Sequence, residues 1–211
     1  MSLKAKDVVQ AGRPLDEADK ALVLLHGRFA SAESILPLAE ALGAGDFAVA
    51  APQAPEGQWY PQGFVAPRQQ NEPYLTDALA RLDGLLTELK SAGIHRERVV
   101  LAGFSQGACL AAEFAASRAQ RYGGLLIFSG GLIGQGASVS AEAYAGSLSG
   151  TPVFSGCSDV DPHIPLERVK ETSQILSGMG ASVDEQIYPG MGHTITEAEL
   201  EQARRVIVGS S

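Results

Sequence analysis

A series of short, continuous apolar runs constrains this chain more than any other feature. Ala21-Leu22-Val23-Leu24-Leu25, Phe47-Ala48-Val49-Ala50, Val99-Val100-Leu101-Ala102, Leu125-Leu126-Ile127-Phe128 and Val153-Phe154 are each brief, and most stop at Gly, Ser or Pro. Apolarity without alternation is the pattern of strands covered on both faces, as in parallel sheets. Val183 to Tyr188 is more polar and suits a strand near a sheet edge. Helical patterns lie between the runs, over about Ala32–Leu42, Leu75–Lys90, Gln106–Arg118, Pro165–Met179 and Glu197–Val208. Strand alternating with helix predicts an α/β fold: a mostly parallel central sheet, right-handed crossovers and helices on both faces. With no linker or repeat in its 211 residues, the chain reads as one domain over residues 1–211.

Charge and cysteine usage narrow the function classes. Asp plus Glu is 24 against 16 for Lys plus Arg, a net charge of −8. A chain with that balance and no basic block lacks the phosphate-neutralising surface that a nucleic acid needs. Cys109 and Cys157 stand far apart without metal-ligand spacing, so neither a disulfide framework nor a metal centre is indicated. No apolar run approaches the roughly 20 residues of a transmembrane helix. The start, Met1-Ser2-Leu3-Lys4-Ala5-Lys6-Asp7, lacks the apolar stretch of a signal peptide, and the expectation is a cytoplasmic, soluble protein.

One segment breaks the rhythm. Residues 52–73 hold five prolines together with Trp59, Tyr60 and Phe64. Long loops inside compact domains often line a site. Trp59 and Tyr60 are therefore expected to give the apolar wall of a substrate pocket, although the same aromatics could simply patch a sheet edge.

The chemistry centres on Gly103-Phe104-Ser105-Gln106-Gly107, a G-x-S-x-G pattern. In a chain with 24 glycines the pattern alone is weak. Its context is not, because it joins the strand-like Val99–Ala102 to the helix-like Gln106–Arg118. That strand–turn–helix is what exposes a nucleophilic serine at the top of a sheet. A serine hydroxyl needs a base. His26 and His95 precede the serine or its strand, and His163 lies two residues from the best acid. His193, in a Gly-rich loop between the last strand and the last helix, is the expected base. Two acids follow the strand ending at Val153-Phe154. Counting forward from Gly156 favours Asp159, and counting back from Pro165, which opens the next helix, favours Asp161. Asp161 is preferred, since Ile164 and Pro165 tie its side of the loop to the helix. Asp159 is then a turn residue bonding backbone amides. The amide after the nucleophile, on Gln106, and one from the early loop His26-Gly27-Arg28 are expected to form an oxyanion hole.

With Leu25-His26-Gly27, Gly103-Phe104-Ser105-Gln106-Gly107, Asp161-Pro162-His163-Ile164-Pro165 and Gly192-His193 in this order, the chain resembles the α/β-hydrolase superfamily. More narrowly, it is similar to the phospholipase/carboxylesterase family, which includes acyl-protein thioesterases and small bacterial carboxylesterases. The resemblance implies an α/β-hydrolase fold without a large lid domain. It implies Arg28 and Gln106 as the oxyanion amides, and Trp59-Tyr60 on the substrate-side loop. Arg28-Phe29 stands where the eukaryotic thioesterases usually have a small apolar residue and a glycine.

The expected activity is hydrolysis of small-molecule carboxylic esters of small or medium acyl chains through an acyl-enzyme, with no metal or organic cofactor. Hydrolysis of acylated thiols or lipids is the alternative. A non-catalytic ligand-binding module is a reading of another class. An apolar pocket rim would offer a contact for a homodimer.

Overall fold

The computed structural model describes Leu3 and residues 7–209. Most of the N-terminal stretch read above for a signal segment therefore lies outside the described residues. Seven strands form one sheet: β1 (Val8–Gly12), β2 (Ala21–Leu25), β3 (Ala48–Pro52), β4 (Val99–Phe104), β5 (Gly124–Phe128), β6 (Pro152–Ser158) and β7 (Ser182–Tyr188). Their spatial order is β1-β3-β2-β4-β5-β6-β7. Only β1 runs antiparallel, to β3; every other pairing is parallel.

The helices are α1 (Ala32–Ile35), α2 (Pro37–Ala41), α3 (Tyr74–Ser91), α4 (Gln106–Ser117), α5 (Leu166–Gly178) and α6 (Glu197–Gly209). Side chains alternate between the two faces of β2. Ala21, Val23 and Leu25 join the core under α3, α4 and α5, whereas Leu22 and Leu24 join the core under α1, α2 and α6. A strand apolar at every position is what this two-sided burial requires. β7, at the edge, is only half-buried and correspondingly polar.

Two features depart from the sequence reading. The helix expected over Ala32–Leu42 is two short helices, α1 and α2. Pro37 has no N–H to continue the ladder; it opens α2 while the Leu36 amide closes α1 on the Glu33 carbonyl. Strand β1 has no counterpart among the expected runs. It is half-buried to exposed and is held by its pairing with β3, Val8 opposite Pro52 through Gly12 opposite Ala48.

Every segment that carries a candidate functional residue leaves the carboxyl end of a parallel strand: Arg28 follows β2, Ser105 follows β4, Asp161 follows β6 and His193 follows β7. Open α/β sheets bind their ligands along that edge. No helix among the described residues is long and apolar enough to cross a membrane.

Candidate active site

Ser105 sits at φ +56° and ψ −120°, a conformation that L residues rarely adopt. The turn is held from both sides. The Ser105 amide donates to the Phe128 carbonyl at 3.0 Å, and the Ser105 carbonyl accepts from Cys109 N at 3.0 Å. Two glycines let α4 start hard against the sheet. A Cβ on Gly107 would overlap the Leu25 carbonyl, and one on Gly103 would overlap the backbone of Gly107 and Ala108. Such a backbone persists only where its surroundings over-determine it, and it aims the side chain away from the sheet.

His193 lies between Ser105 and Asp161. Its Nε2 is 2.9 Å from Ser105 Oγ and its Nδ1 is 2.7 Å from Asp161 Oδ2. The imidazole is packed between Phe104, with ring centroids 4.8 Å apart, and the edge of His163, also at 4.8 Å. The Asp161 side chain is fully buried. Its Oδ1 accepts from the amides of His163 at 2.8 Å and Ile164 at 3.0 Å. Burial pushes the Asp161 carboxyl up, but the bonds from His193 and from those two amides outweigh it and hold the group below its ordinary value. An ionised carboxylate only accepts, so the proton between the pair belongs to Nδ1, leaving the Nε2 lone pair for the serine hydroxyl.

Asp159 does not touch the imidazole. Its Oδ1 accepts from Gly190 N at 2.7 Å, on the loop that carries His193, and Ser158 Oγ accepts from Gly192 N at 3.0 Å. At the far end of that loop, Thr196 and Glu199 form a reciprocal cap for α6. Thr196 N donates to Glu199 Oε2 at 2.9 Å, and Glu199 N lies 3.4 Å from Thr196 Oγ1. Glu199 is buried with Oε1 unpartnered, and burial raises its pKa to about 7. The sequence reading passed over this cap, although T-x-x-E before a helix announces it.

Arg28 and Gln106 meet through the long loop. Gln106 is the first residue of α4, so its amide has no carbonyl one turn earlier to bond. The amides of Phe29 and Ala30 are bonded to Gly57 and Gly27 carbonyls, while that of Arg28 is bonded to no described residue. Both side chains grip the same stretch of loop. Arg28 Nη2 donates to the carbonyls of Tyr60, Pro61 and Gln62 at 2.8, 2.7 and 2.8 Å. Gln106 Nε2 donates to Tyr60 O at 2.8 Å, and Gln106 Oε1 accepts from Trp59 N at 2.9 Å.

Trp59 corrects the expectation made for it. Its indole is buried, donates from Nε1 to His26 O at 2.9 Å, and packs on the His26 ring with centroids 5.1 Å apart. The cavity of about 600 Å³ at Ser105 is lined by Tyr60, Phe64 and Phe104 among others, and Trp59 is not part of that wall. The indole props the main chain before Arg28 because that is where an N–H donor and a large apolar body both find partners. His26 itself is buried: Nε2 accepts from Ala54 N at 3.1 Å and burial lowers its pKa, so it is a neutral packing residue. Burial also pushes the Cys109 and Cys157 thiols up to about 12, which removes both as thiolate nucleophiles. Among the described residues no cluster of three or more His, Cys, Asp or Glu side chains could hold a metal ion.

A parallel sheet with one antiparallel edge strand, and a serine on a tight turn from the central strand into a helix, is the architecture of an α/β-hydrolase. Within that class the chain belongs to the phospholipase/carboxylesterase family, whose model matches residues 6–209. It is similar to a crystal structure of a phospholipase/carboxylesterase from Dyadobacter fermentans, with 41% identity, 99% of each chain covered and a TM-score of 0.92. The Bacillus cereus carboxylesterase shares the fold, at TM-score 0.77 and 20% identity over 97% of this chain and 94% of that one. Acyl-protein thioesterase 1 of Gibberella zeae is 32% identical over 118 residues, which are 56% of this chain and 50% of that protein. The match thus spans about half the length of that curated relative.

Proposed function

We propose that the chain is a serine hydrolase that cleaves carboxylic esters of small or medium acyl chains through an acyl-enzyme. The observation that carries this reading is the position of His193, within hydrogen-bond reach of Ser105 Oγ on one side and of Asp161 Oδ2 on the other. Ser105 Oγ attacks the ester carbonyl as Nε2 takes its proton. The Arg28 and Gln106 amides receive the oxyanion, and Nε2 returns the proton to the departing alcohol. Water then enters by the same route and releases the acid. Asp161 keeps the proton on Nδ1 and stabilises the imidazolium.

Family membership supports ester hydrolysis in general, and the relatives named acyl-protein thioesterase 1 favour a second reading, hydrolysis of acylated thiols. A fluorophosphonate should label one site, and a digest should place it on the peptide bearing Ser105. Oxygen and sulfur esters with matched acyl chains then separate the two readings. Absence of labelling, with no turnover on either series, would sink both.

A further inference from the structure

The Arg28 guanidinium is only partly used by the loop that it holds. One nitrogen, Nη2, makes all three bonds to the Tyr60, Pro61 and Gln62 carbonyls. Nε and Nη1 make no hydrogen bond to a described residue, the group lies over the Phe29 ring with Cζ 5.8 Å from its centroid, and no described carboxylate lies within 4.0 Å. Arg28 lines the cavity at Ser105, and that lining contains no Asp or Glu. The absence is informative in a chain with 24 acidic residues and a net charge of −8. Two acids stand near it: Asp161 is fully buried behind the His193 ring, and Glu33 precedes Ser34 and is felt electrostatically by His26, but neither lines the cavity. The rest of the wall, with Phe29, Ile35, Phe64, Phe104 and Ile164, is largely apolar. A half-buried, permanently charged fork on a residue that lines a space without carboxylates is suited to an anionic partner.

We propose that this cavity selects esters carrying a carboxylate or another anionic group, with the Arg28 side chain as its partner. The proposal rests on the esterase reading above and adds the class of substrate. The carboxylate could sit on the acyl side or on the alcohol side of the ester, and two matched pairs distinguish them. The acyl pair is the para-nitrophenyl monoester of adipic acid and its uncharged isostere, in which an isopropyl group replaces the carboxylate. The alcohol pair is the butyrate esters of meta-hydroxybenzoate and of meta-cresol.

At low ionic strength the charged member of at least one pair should have a kcat/KM on the order of tenfold above its neutral partner, as expected for one charge-assisted hydrogen bond. Added salt should shrink that ratio. Arg28→Met should abolish the ratio and Arg28→Lys should restore part of it. Reading the ratio within each variant cancels any general loss from a disturbed loop. Equal kcat/KM values within both pairs, or a preference that survives Arg28→Met, overturn the proposal. If none of the four esters is hydrolysed, the esterase reading fails instead. Calorimetric titration of the same esters into the Ser105→Ala variant then reads the preference as binding, and equal affinities overturn the proposal.

Discussion

Asp159 and Asp161 stand two residues apart on one loop, and both reach the loop of His193: Asp159 bonds the Gly190 amide and Asp161 bonds the imidazole, each at 2.7 Å. One acid anchors backbone, the other fixes a ring. Asp161→Asn should therefore cost on the order of 10⁴ in turnover, by analogy with the serine-protease triad. Asn at 159 keeps an oxygen for Gly190 N, so Asp159→Asn should stay within tenfold of the parent. Parallel kcat measurements on the two folded variants decide the matter, and the opposite ranking would refute the assignment.

Ser105→Ala should remove turnover by about 10⁶, the scale at which loss of a triad serine is felt. Its melting temperature should remain near that of the parent, because among the described residues the hydroxyl bonds only His193. Fluorophosphonate labelling at undiminished stoichiometry in this variant would rule Ser105 out.

Glu199 should make stability fall as pH rises through the near-neutral range. Its carboxyl titrates at about 7 in the fold against 4.5 unperturbed. Between those values the native state holds a proton that the unfolded chain has released, so the slope of unfolding free energy with pH is negative there. The full difference is on the order of 3 kcal/mol, lost between about pH 4.5 and 7. Glu199→Gln should flatten this limb, with little change at pH 4 and a higher melting temperature at pH 8. Parallel pH profiles for the two proteins would contradict the burial argument.

Trp59→Ala should destabilise the fold by about 3–5 kcal/mol, the usual cost of emptying a large aromatic site. Because the indole lies outside the cavity wall, the acyl-chain profile of the residual enzyme should keep its shape. Chemical denaturation and a chain-length series on the same preparation test both halves. A small stability loss with a shifted profile would return Trp59 to the substrate wall.

What the sequence could disclose was local. Apolar runs such as Ala21–Leu25 announce strands covered on both faces, and the polar run at β7 announces an edge, because burial acts residue by residue. β1 escaped notice because its partner, β3, lies some forty residues further along and supplies backbone bonds that no side-chain pattern records. Spacing alone points to two acids, and the tie of Ile164 and Pro165 to the next helix favours Asp161; where the loop of residues 189–193 lies in space is what no spacing records. The grip of Arg28 and Gln106 on Tyr60 O links residues 32 and 46 positions away, and composition carries no trace of it. Trp59 was misplaced for the same reason: an aromatic in a Pro-rich loop reads alike whether it faces solvent, substrate or the His26 carbonyl.

The close contact of Gly107 with the end of β2 leaves no side chain between the two stretches that carry the Arg28 and Gln106 amides. Their separation is a gauge machined into main chain, which no rotamer can open and no single surface substitution can reset. Changing it would take a slip of β2 against β4, and a one-residue slip would turn every side chain of β2 to the opposite face. The spacing of those two amides therefore draws its rigidity from both hydrophobic cores at once, and should hold until the sheet itself gives way.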